Sequence, residues 1–192
     1  AHPPVPQRRV LAADGGHVQP FQHAETLLAP QRLDHRRQAT RQAQRLGRAA
    51  AALIKDDERI ILDSGTTTEE VAANLREHKN LIVMTNGLNI ALELSQVDKV
   101  EVMMTGGTLR KKSMSFYGAQ AEQALKHYQF DKVVLGVDGF DLKTGLSTHF
   151  EAEATLNRLM CEVAREVVVV TDSSKFERRG FHLICSAMQV HT

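Results

Sequence analysis

The sequence predicts an α/β fold in which a mostly parallel, Rossmann-like sheet carries helices on both faces. Short runs of β-branched and aliphatic residues alternate with amphipathic helical segments from residue 59 to residue 171. β-Branched residues are frequent in these runs, as expected for the strands of a parallel sheet that helices cover on both faces. Parallel strands need helical crossovers, and the segments between the runs are long enough to supply them.

The predicted elements begin with a helix near Arg41, which an apolar stripe at spacings of three and four indicates as far as Ile54. The predicted strands are Arg59 to Asp63, Leu81 to Thr85, Val100 to Thr105, Lys132 to Val137 and Val167 to Thr171. The predicted helices are Thr66 to Glu77, Leu88 to Leu94, Ala119 to Tyr128 and Glu151 to Ala164. Ligands of such sheets bind beyond the carboxyl ends of the strands, so a site is expected there.

The composition excludes several classes of protein. With 42% apolar and 24% charged residues, the chain is typical of globular proteins, and it lacks the run of about 18 apolar residues that a membrane helix needs. No secretory signal is visible at the N-terminus, which predicts a cytoplasmic location. Cys161 and Cys185 show neither a CxxC spacing nor a paired histidine, so we expect buried thiols rather than a disulfide or a metal site.

Residues 1–40 form a leader of a different composition from the domain predicted over residues 41–192. All five prolines lie in it, and residues 1–48 carry eight arginines against three acidic residues, a net charge of +5. Such a composition favours a disordered leader. A basic arm that binds nucleic acid phosphates is an alternative, and an out-of-frame reading of a GC-rich gene is another.

A run of small hydroxyl residues follows the first predicted strand. Asp63, Ser64 and Gly65 lead into Thr66, Thr67 and Thr68 at the start of a helix. Free backbone N–H groups at a helix N-terminus, together with Ser and Thr hydroxyls, are what a phosphate needs. Helix capping explains one hydroxyl but not four in sequence. The chain has neither GxxxxGK[ST] nor GxGxxG, so neither a nucleotide nor any other cofactor is indicated.

The other candidate ligand-binding residues also lie at strand ends or just before a helix, and they are Thr85, Asn86, Gly106, Gly107, Asp138, His149, Glu151 and Lys175. Each has a structural alternative. The two glycines suit a tight turn, Asp138 suits an Asx turn, Glu151 suits a capping box with Thr148, and Lys175 suits a solvated surface. Their common position at one edge of the sheet favours a ligand site.

Seven motifs in order and spacing resemble the C-terminal sensor domain of DeoR-family bacterial transcriptional repressors, over about residues 41–190. They are DSGTTT (63–68), MTNG (84–87), MTGG (104–107), SFYG (115–118), LGVDG (135–139), GLSTH with EAEA (145–154) and VTDSSKF (170–176). The TNG, SFYG and STH motifs together resemble members that regulate amino-sugar catabolism.

The resemblance implies a fold similar to ribose-5-phosphate isomerase and the sugar-phosphate deaminases, and a phosphorylated sugar as effector. Residues 64–68 would hold the phosphate, while Asp138, Glu151 and Lys175 would face the sugar. It also implies a homo-oligomer, and operator DNA bound through a winged helix-turn-helix whose pattern residues 1–40 do not show. Residues 181–192 end where the family continues into another strand and helix, so we expect a truncated C-terminus.

An isomerase or deaminase of the same fold is the alternative function. In that case Asp138 or Glu151 would move a proton and Lys175 would stabilise an enediolate. The related isomerases carry Asp-Gly-Ala-Asp-Glu where this chain has Leu142 in place of the last carboxylate. That difference favours binding without turnover, hence a regulator and not an enzyme.

Overall fold

The computed structural model describes residues 41–191 with their side chains, and residues 11–13 as backbone. Its strands are β1 (Leu11–Ala13), β2 (Arg59–Leu62), β3 (Leu81–Thr85), β4 (Val100–Met104), β5 (Thr108–Arg110), β6 (Ser115–Tyr117), β7 (Phe130–Gly136), β8 (Gly139–Asp141), β9 (Gly145–Thr148), β10 (Ala164–Asp172) and β11 (His182–Cys185). Its helices are α1 (residues 41–51), α2 (Thr66–Ala73), α3 (Leu88–Leu94), α4 (Ala119–Leu125) and α5 (Glu151–Glu162), with 3₁₀ turns at Ser173–Lys175 and Ala187–Gln189.

The main sheet confirms the predicted architecture. Its described strands run in the order β1-β10-β7-β2-β3-β4, and every neighbouring pair is parallel. The predicted strands and helices are all present, with small differences at their ends. The largest is in α2, which ends at Ala73 instead of Glu77 because the Asn74 side chain donates a 2.7 Å hydrogen bond back to the Glu70 carbonyl.

Helices cover both faces of this sheet, as predicted. Ile60 and Leu62 of β2 belong to one buried cluster, which includes apolar side chains of α1, α2 and α3. Ile61, between them, belongs to the other cluster, which includes side chains of α4 and α5. Successive residues of a strand point to opposite faces, so a continuous apolar run serves two cores.

Two small antiparallel sheets were not predicted. One is the hairpin β5-β6, and the other has the order β11-β9-β8. The second depends on Gly145, whose φ is +102° and whose Cβ, if present, would lie 2.1 Å from the Cys185 carbonyl oxygen. A residue with a side chain does not fit there.

The leader is described only at Leu11–Ala13, which pairs with β10 at the edge of the main sheet. The rest of the predicted disordered leader, including the question of a helix-turn-helix, lies outside the described residues. Among the helices of the described ranges, none is long and apolar enough to cross a membrane. Cys161 and Cys185 are buried free thiols, as expected, with their sulfur atoms 3.9 Å apart.

Candidate functional site

A cleft of about 450 Å³ opens at the carboxyl ends of β2, β7 and β10. Loops that follow these strands form most of it, and the β5-β6 hairpin and the start of α5 complete it. The lining residues are Ser64, Gly65, Thr66, Thr67, Thr68, Arg110, Lys112, Ser113, Gly136, Val137, Asp138, His149, Glu153, Val170, Thr171, Asp172 and Lys175. This is the edge at which parallel α/β sheets bind ligands.

The loop 64–68 leads from β2 into the N-terminus of α2. The helix cap is Gly65, and no side chain caps the helix. The first intrahelical bond runs from the Glu69 N–H to the Gly65 carbonyl, so the amides before it have no acceptor within the helix. Thr68 donates its hydroxyl to that carbonyl and is buried, whereas Thr66 is exposed and Thr67 is half-buried at the cleft. Helix capping therefore does not explain this run of hydroxyls.

Three cationic side chains line the same cleft. Arg110 and Lys112 come from the β5-β6 hairpin, and Lys175 comes from the turn after β10. That turn is fixed by Asp172, whose Oδ1 accepts a 2.8 Å hydrogen bond from the Ser174 N–H. The guanidinium of Arg110 also lies 4.4 Å from the centre of the Phe150 ring, a cation–π contact that holds it in place.

Besides Asp172, two carboxylates line the cleft beside these cations, Asp138 and Glu153. The Asp138 Oδ2 atom accepts hydrogen bonds from the Thr148 hydroxyl at 2.9 Å and from the His149 N–H at 3.3 Å. Glu153 pairs with Arg110 at 3.2 Å. Burial, and after it the charge of Asp138, raise the pKa of Glu153, while Arg110 opposes the rise.

Asp63 lies beneath the loop and not in the cleft. It is 1% exposed, and Asn157 of α5 donates a 3.4 Å hydrogen bond to its Oδ2. Burial, followed by the charge of Glu153, raises the pKa of the Asp63 carboxyl well above its usual range, although the neighbouring donor groups of Ser64, Asn86 and Asn157 act the other way. Asn86 is buried as well, and its Oδ1 accepts a 2.9 Å hydrogen bond from the Ser64 N–H, which fixes the start of the loop.

The structure brings together most, but not all, of the residues predicted for the site. The predicted residues that line the cleft are Ser64, Gly65, Thr66, Thr67, Thr68, Asp138, His149 and Lys175. Thr85 is buried and accepts a hydrogen bond from the Gly87 N–H. Gly106 and Gly107 lie outside the lining of the cleft. A Cβ on Gly107 would lie 2.5 Å from the Tyr117 carbonyl oxygen, so the turn itself requires a glycine at this position.

Glu151 is exposed and does not line the cleft, whereas Glu153 does. The alternative role of Glu151 in a capping box is not seen either, because α5 has Phe150 at its cap position and no side-chain cap. Thr148 instead bonds to Asp138.

Sequence reasoning missed Arg110, Lys112 and Glu153. The first two lie on a hairpin that was not predicted, and only the basic run at residues 110–112 was available as a signal. Glu153 lies in the acidic first turn of α5, but the sequence does not show which side of that helix faces the cleft. No group of three or more His, Cys, Asp or Glu side chains within residues 41–191 is placed to hold a metal ion.

Solved structures share this fold. Ribose 5-phosphate isomerase from Plasmodium falciparum matches with a TM-score of 0.53 at 14% identity, over 71% of this chain and 53% of that one. At this identity the match establishes the fold and nothing further. The chain therefore has an α/β fold similar to that of ribose 5-phosphate isomerase.

The sequence comparisons identify the family. Residues 38–192 match the family described as the DeoR C terminal sensor domain. The aga operon transcriptional repressor of Escherichia coli O157:H7 is 54% identical over 145 residues, which are 76% of this chain and 54% of that protein. The glycerol-3-phosphate regulon repressor of Escherichia coli K12 is 31% identical over 147 residues, 77% of this chain and 58% of that protein. The chain belongs to the DeoR family and spans little more than half the length of these relatives, which are named as repressors and not as enzymes.

Proposed function

We propose that this chain is the effector-sensing part of a transcriptional repressor, and that its cleft binds a phosphorylated sugar, specifically an amino-sugar phosphate. One observation carries the proposal. Unpaired amides of a helix N-terminus, three cationic side chains and three carboxylates all border a single space of about 450 Å³. That volume lies within the range of small-ligand sites.

The phosphate end of the ligand is assigned to the loop 64–68. A helix N-terminus favours anions, and the hydroxyls of Ser64, Thr66 and Thr67 add donors that no helix cap consumes. Lys175 and Lys112 contribute positive charge in the same lining. An unphosphorylated sugar would leave these donors without an anion, so the phosphate supplies most of the affinity.

The sugar end is assigned to Asp138 and Glu153. Both are carboxylates in the lining, and the charge of Asp138 contributes to the raised pKa of Glu153. A ligand ammonium beside them would relieve that repulsion, whereas a hydroxyl would relieve less of it. An amino sugar is therefore favoured at this end, where Glu153 takes the place that the sequence predicted for Glu151.

The regulatory role rests on the family of the chain and on the thermodynamic linkage between effector binding and operator binding. An effector that binds one conformation of the regulator more tightly shifts it toward that conformation, and operator affinity changes by the same coupling. In the full-length regulator, operator DNA would be bound through a winged helix-turn-helix, and the regulator would be a homo-oligomer acting in the cytoplasm. The named relatives, which are repressors, support this role over that of an isomerase or deaminase.

A thermal-shift panel of amino-sugar, hexose and pentose phosphates tests the proposal on this chain. A ligand at one hundred times its dissociation constant adds about 2.7 kcal/mol to the free energy of unfolding. For a domain of this size that corresponds to an increase in Tm of about 5–10 °C. We expect the largest shift with an amino-sugar phosphate, and no shift with any phosphate would refute the proposal.

A further inference from the structure

Two buried oxygen atoms beneath the cleft have no hydrogen-bond partner, and they belong to side chains that already touch. They are Oδ1 of Asp63 and Oδ1 of Asn157, with exposures of 1% and 0% for the two residues. The two side chains are joined by one hydrogen bond, from Asn157 Nδ2 to Asp63 Oδ2 at 3.4 Å. An unsatisfied buried acceptor is destabilising, so two of them in one contact require an explanation.

An ionised Asp63 cannot satisfy either atom. A carboxylate and an amide oxygen are both acceptors, and neither supplies a proton to the other. One proton on Oδ1 of Asp63 changes this, because the resulting O–H can donate to Oδ1 of Asn157. The acid and the amide then form a ring closed by two hydrogen bonds, and a single proton removes both unsatisfied acceptors.

We propose that Asp63 is held as a neutral carboxylic acid, paired with Asn157 through two reciprocal hydrogen bonds, and that this pair positions the loop 64–68 against α5. Asp63 directly precedes the loop, and its own N–H donates to the Val134 carbonyl of β7. Asn157 lies one helical turn after Glu153, on the same side of α5. The pair therefore links the two ends of the cleft.

The neutral form also matters for an anion in the loop. A negative charge on Asp63, next to Ser64, would oppose a phosphate bound at the α2 N-terminus. This benefit to a bound phosphate rests on the proposed function, whereas the protonation of Asp63 itself does not. The titratable groups whose charge bears on Asp63 among the described residues are Glu153 and Cys161, both on α5. On its other side, the residue that follows β3 is the uncharged Asn86. Burial disfavours the charged form of the carboxyl further.

The first test is the pH dependence of unfolding by urea, comparing the parent chain with D63N. An asparagine at position 63 forms the same ring with Asn157 but carries no titrating proton. The unfolded chain releases the Asp63 proton near pH 4 and the folded chain retains it, so rising pH favours the unfolded parent chain. Relative to D63N, the folding equilibrium constant of the parent chain should fall about tenfold per pH unit above about pH 5. A ratio that does not change with pH overturns the proposal.

Two controls sharpen this comparison. The same pair of chains in an E153Q background removes the titration of Glu153, and work below pH 8 avoids that of Cys161. Infrared difference spectra of the parent chain and D63N at pH 7 should show a protonated-carboxyl band in the parent chain alone, and its absence overturns the proposal. Neither measurement uses a ligand, so a cleft that binds no sugar phosphate leaves both results unchanged.

Exchanging the acid and the amide between positions 63 and 157 provides a matched variant for the reciprocal pair. N157D places two carboxyl groups in contact, which should lower the folding equilibrium constant at pH 7 by at least tenfold. D63N/N157D restores one acid and one amide with their positions exchanged, and it should recover most of that loss. If the double variant is no more stable than N157D, the reciprocal pair does not exist.

Discussion

The guanidinium of Arg110 lies 3.2 Å from the carboxylate of Glu153 in the lining of the cleft. The hairpin that carries Arg110 and the helix that carries Glu153 are therefore joined at the site itself. The Arg110 side chain is 30% exposed and that of Glu153 is 22% exposed, so the pair is screened less than a surface pair. A ligand that takes over either partner alters the contact between these two elements, which suits a sensor.

The preference of the cleft for an amino sugar over the corresponding hydroxyl sugar should depend on pH, because Glu153 titrates. Its pKa is raised by burial and by Asp138, so its charge is lost as pH falls through that raised value. We expect galactosamine 6-phosphate to bind more tightly than galactose 6-phosphate at pH 7, with the ratio shrinking toward pH 5. Calorimetry with both ligands at each pH measures this ratio of affinities. Titration of the phosphate affects both ligands equally, so it does not change the ratio.

E153Q is the matched variant for this experiment. It should bind the two sugars with a ratio that no longer varies over this pH range. A ratio that is independent of pH in the parent chain would remove Glu153 from the sugar end.

Hydroxyls of the loop 64–68 should contribute separately to phosphate affinity. Thr66→Val and Thr67→Val each remove one donor while keeping the shape of the side chain. We expect each to weaken binding of a sugar phosphate by about 1.5–3 kcal/mol, the range of hydrogen bonds to charged groups. Thr155→Val is the control, since its hydroxyl bonds to the Glu151 carbonyl outside the cleft lining. Unchanged affinity in both loop variants would move the phosphate site elsewhere.

The small sheet of β8, β9 and β11 should be destabilised when Gly145 is replaced by a residue with a side chain. Gly145→Ala forces a Cβ against the Cys185 carbonyl at a positive φ, and we expect a loss of about 3 kcal/mol or more in the free energy of unfolding. Gly136→Ala is the control, because a Cβ there meets nothing within 4 Å. Urea titration of the two variants measures the difference, and equal stabilities would contradict the account of this turn.

The cleft should bind without catalysing isomerisation. A catalytic base must reach a carbon-bound proton, whereas Oδ2 of Asp138 is occupied by Thr148 and His149, and Glu151 lies outside the cleft. We expect no exchange of the C2 proton of amino-sugar or pentose phosphates with deuterated water above the buffer rate, measured by NMR. Exchange that is lost in Asp138→Asn would show that the domain acts as an enzyme.

The sequence predicts the centre of the main sheet well because its central strands contain continuous apolar runs that are buried on both faces. Ile60, Ile61 and Leu62 have no exposed surface, so their pattern admits little but a central strand. The strands of the hairpin β5-β6 have three residues each and are only partly buried, so no periodicity marks them. Arg110 was missed for this reason.

The lining of the cleft could be predicted from the sequence where backbone position alone determines it, but not where tertiary packing does. Ser64 to Thr68 follow a buried strand, so their place at the sheet edge comes directly from the sequence. Glu151 and Glu153 are two positions apart on α5 and point in different directions, and only the packing of that helix decides which one faces the cleft. The contact between Asp63 and Asn157, 94 residues apart, leaves no local pattern at all.

The most direct test of the central claim is calorimetric titration of this chain with galactosamine 6-phosphate and with galactosamine. The donors of the loop 64–68 are arranged for an anion, and without the phosphate the sugar retains only its contacts with Asp138 and Glu153. We expect measurable binding of the phosphorylated sugar and at least a hundredfold weaker binding of its parent, about 2.7 kcal/mol in binding free energy. Equal affinity for the two sugars would contradict the assignment of this cleft as a sugar-phosphate site.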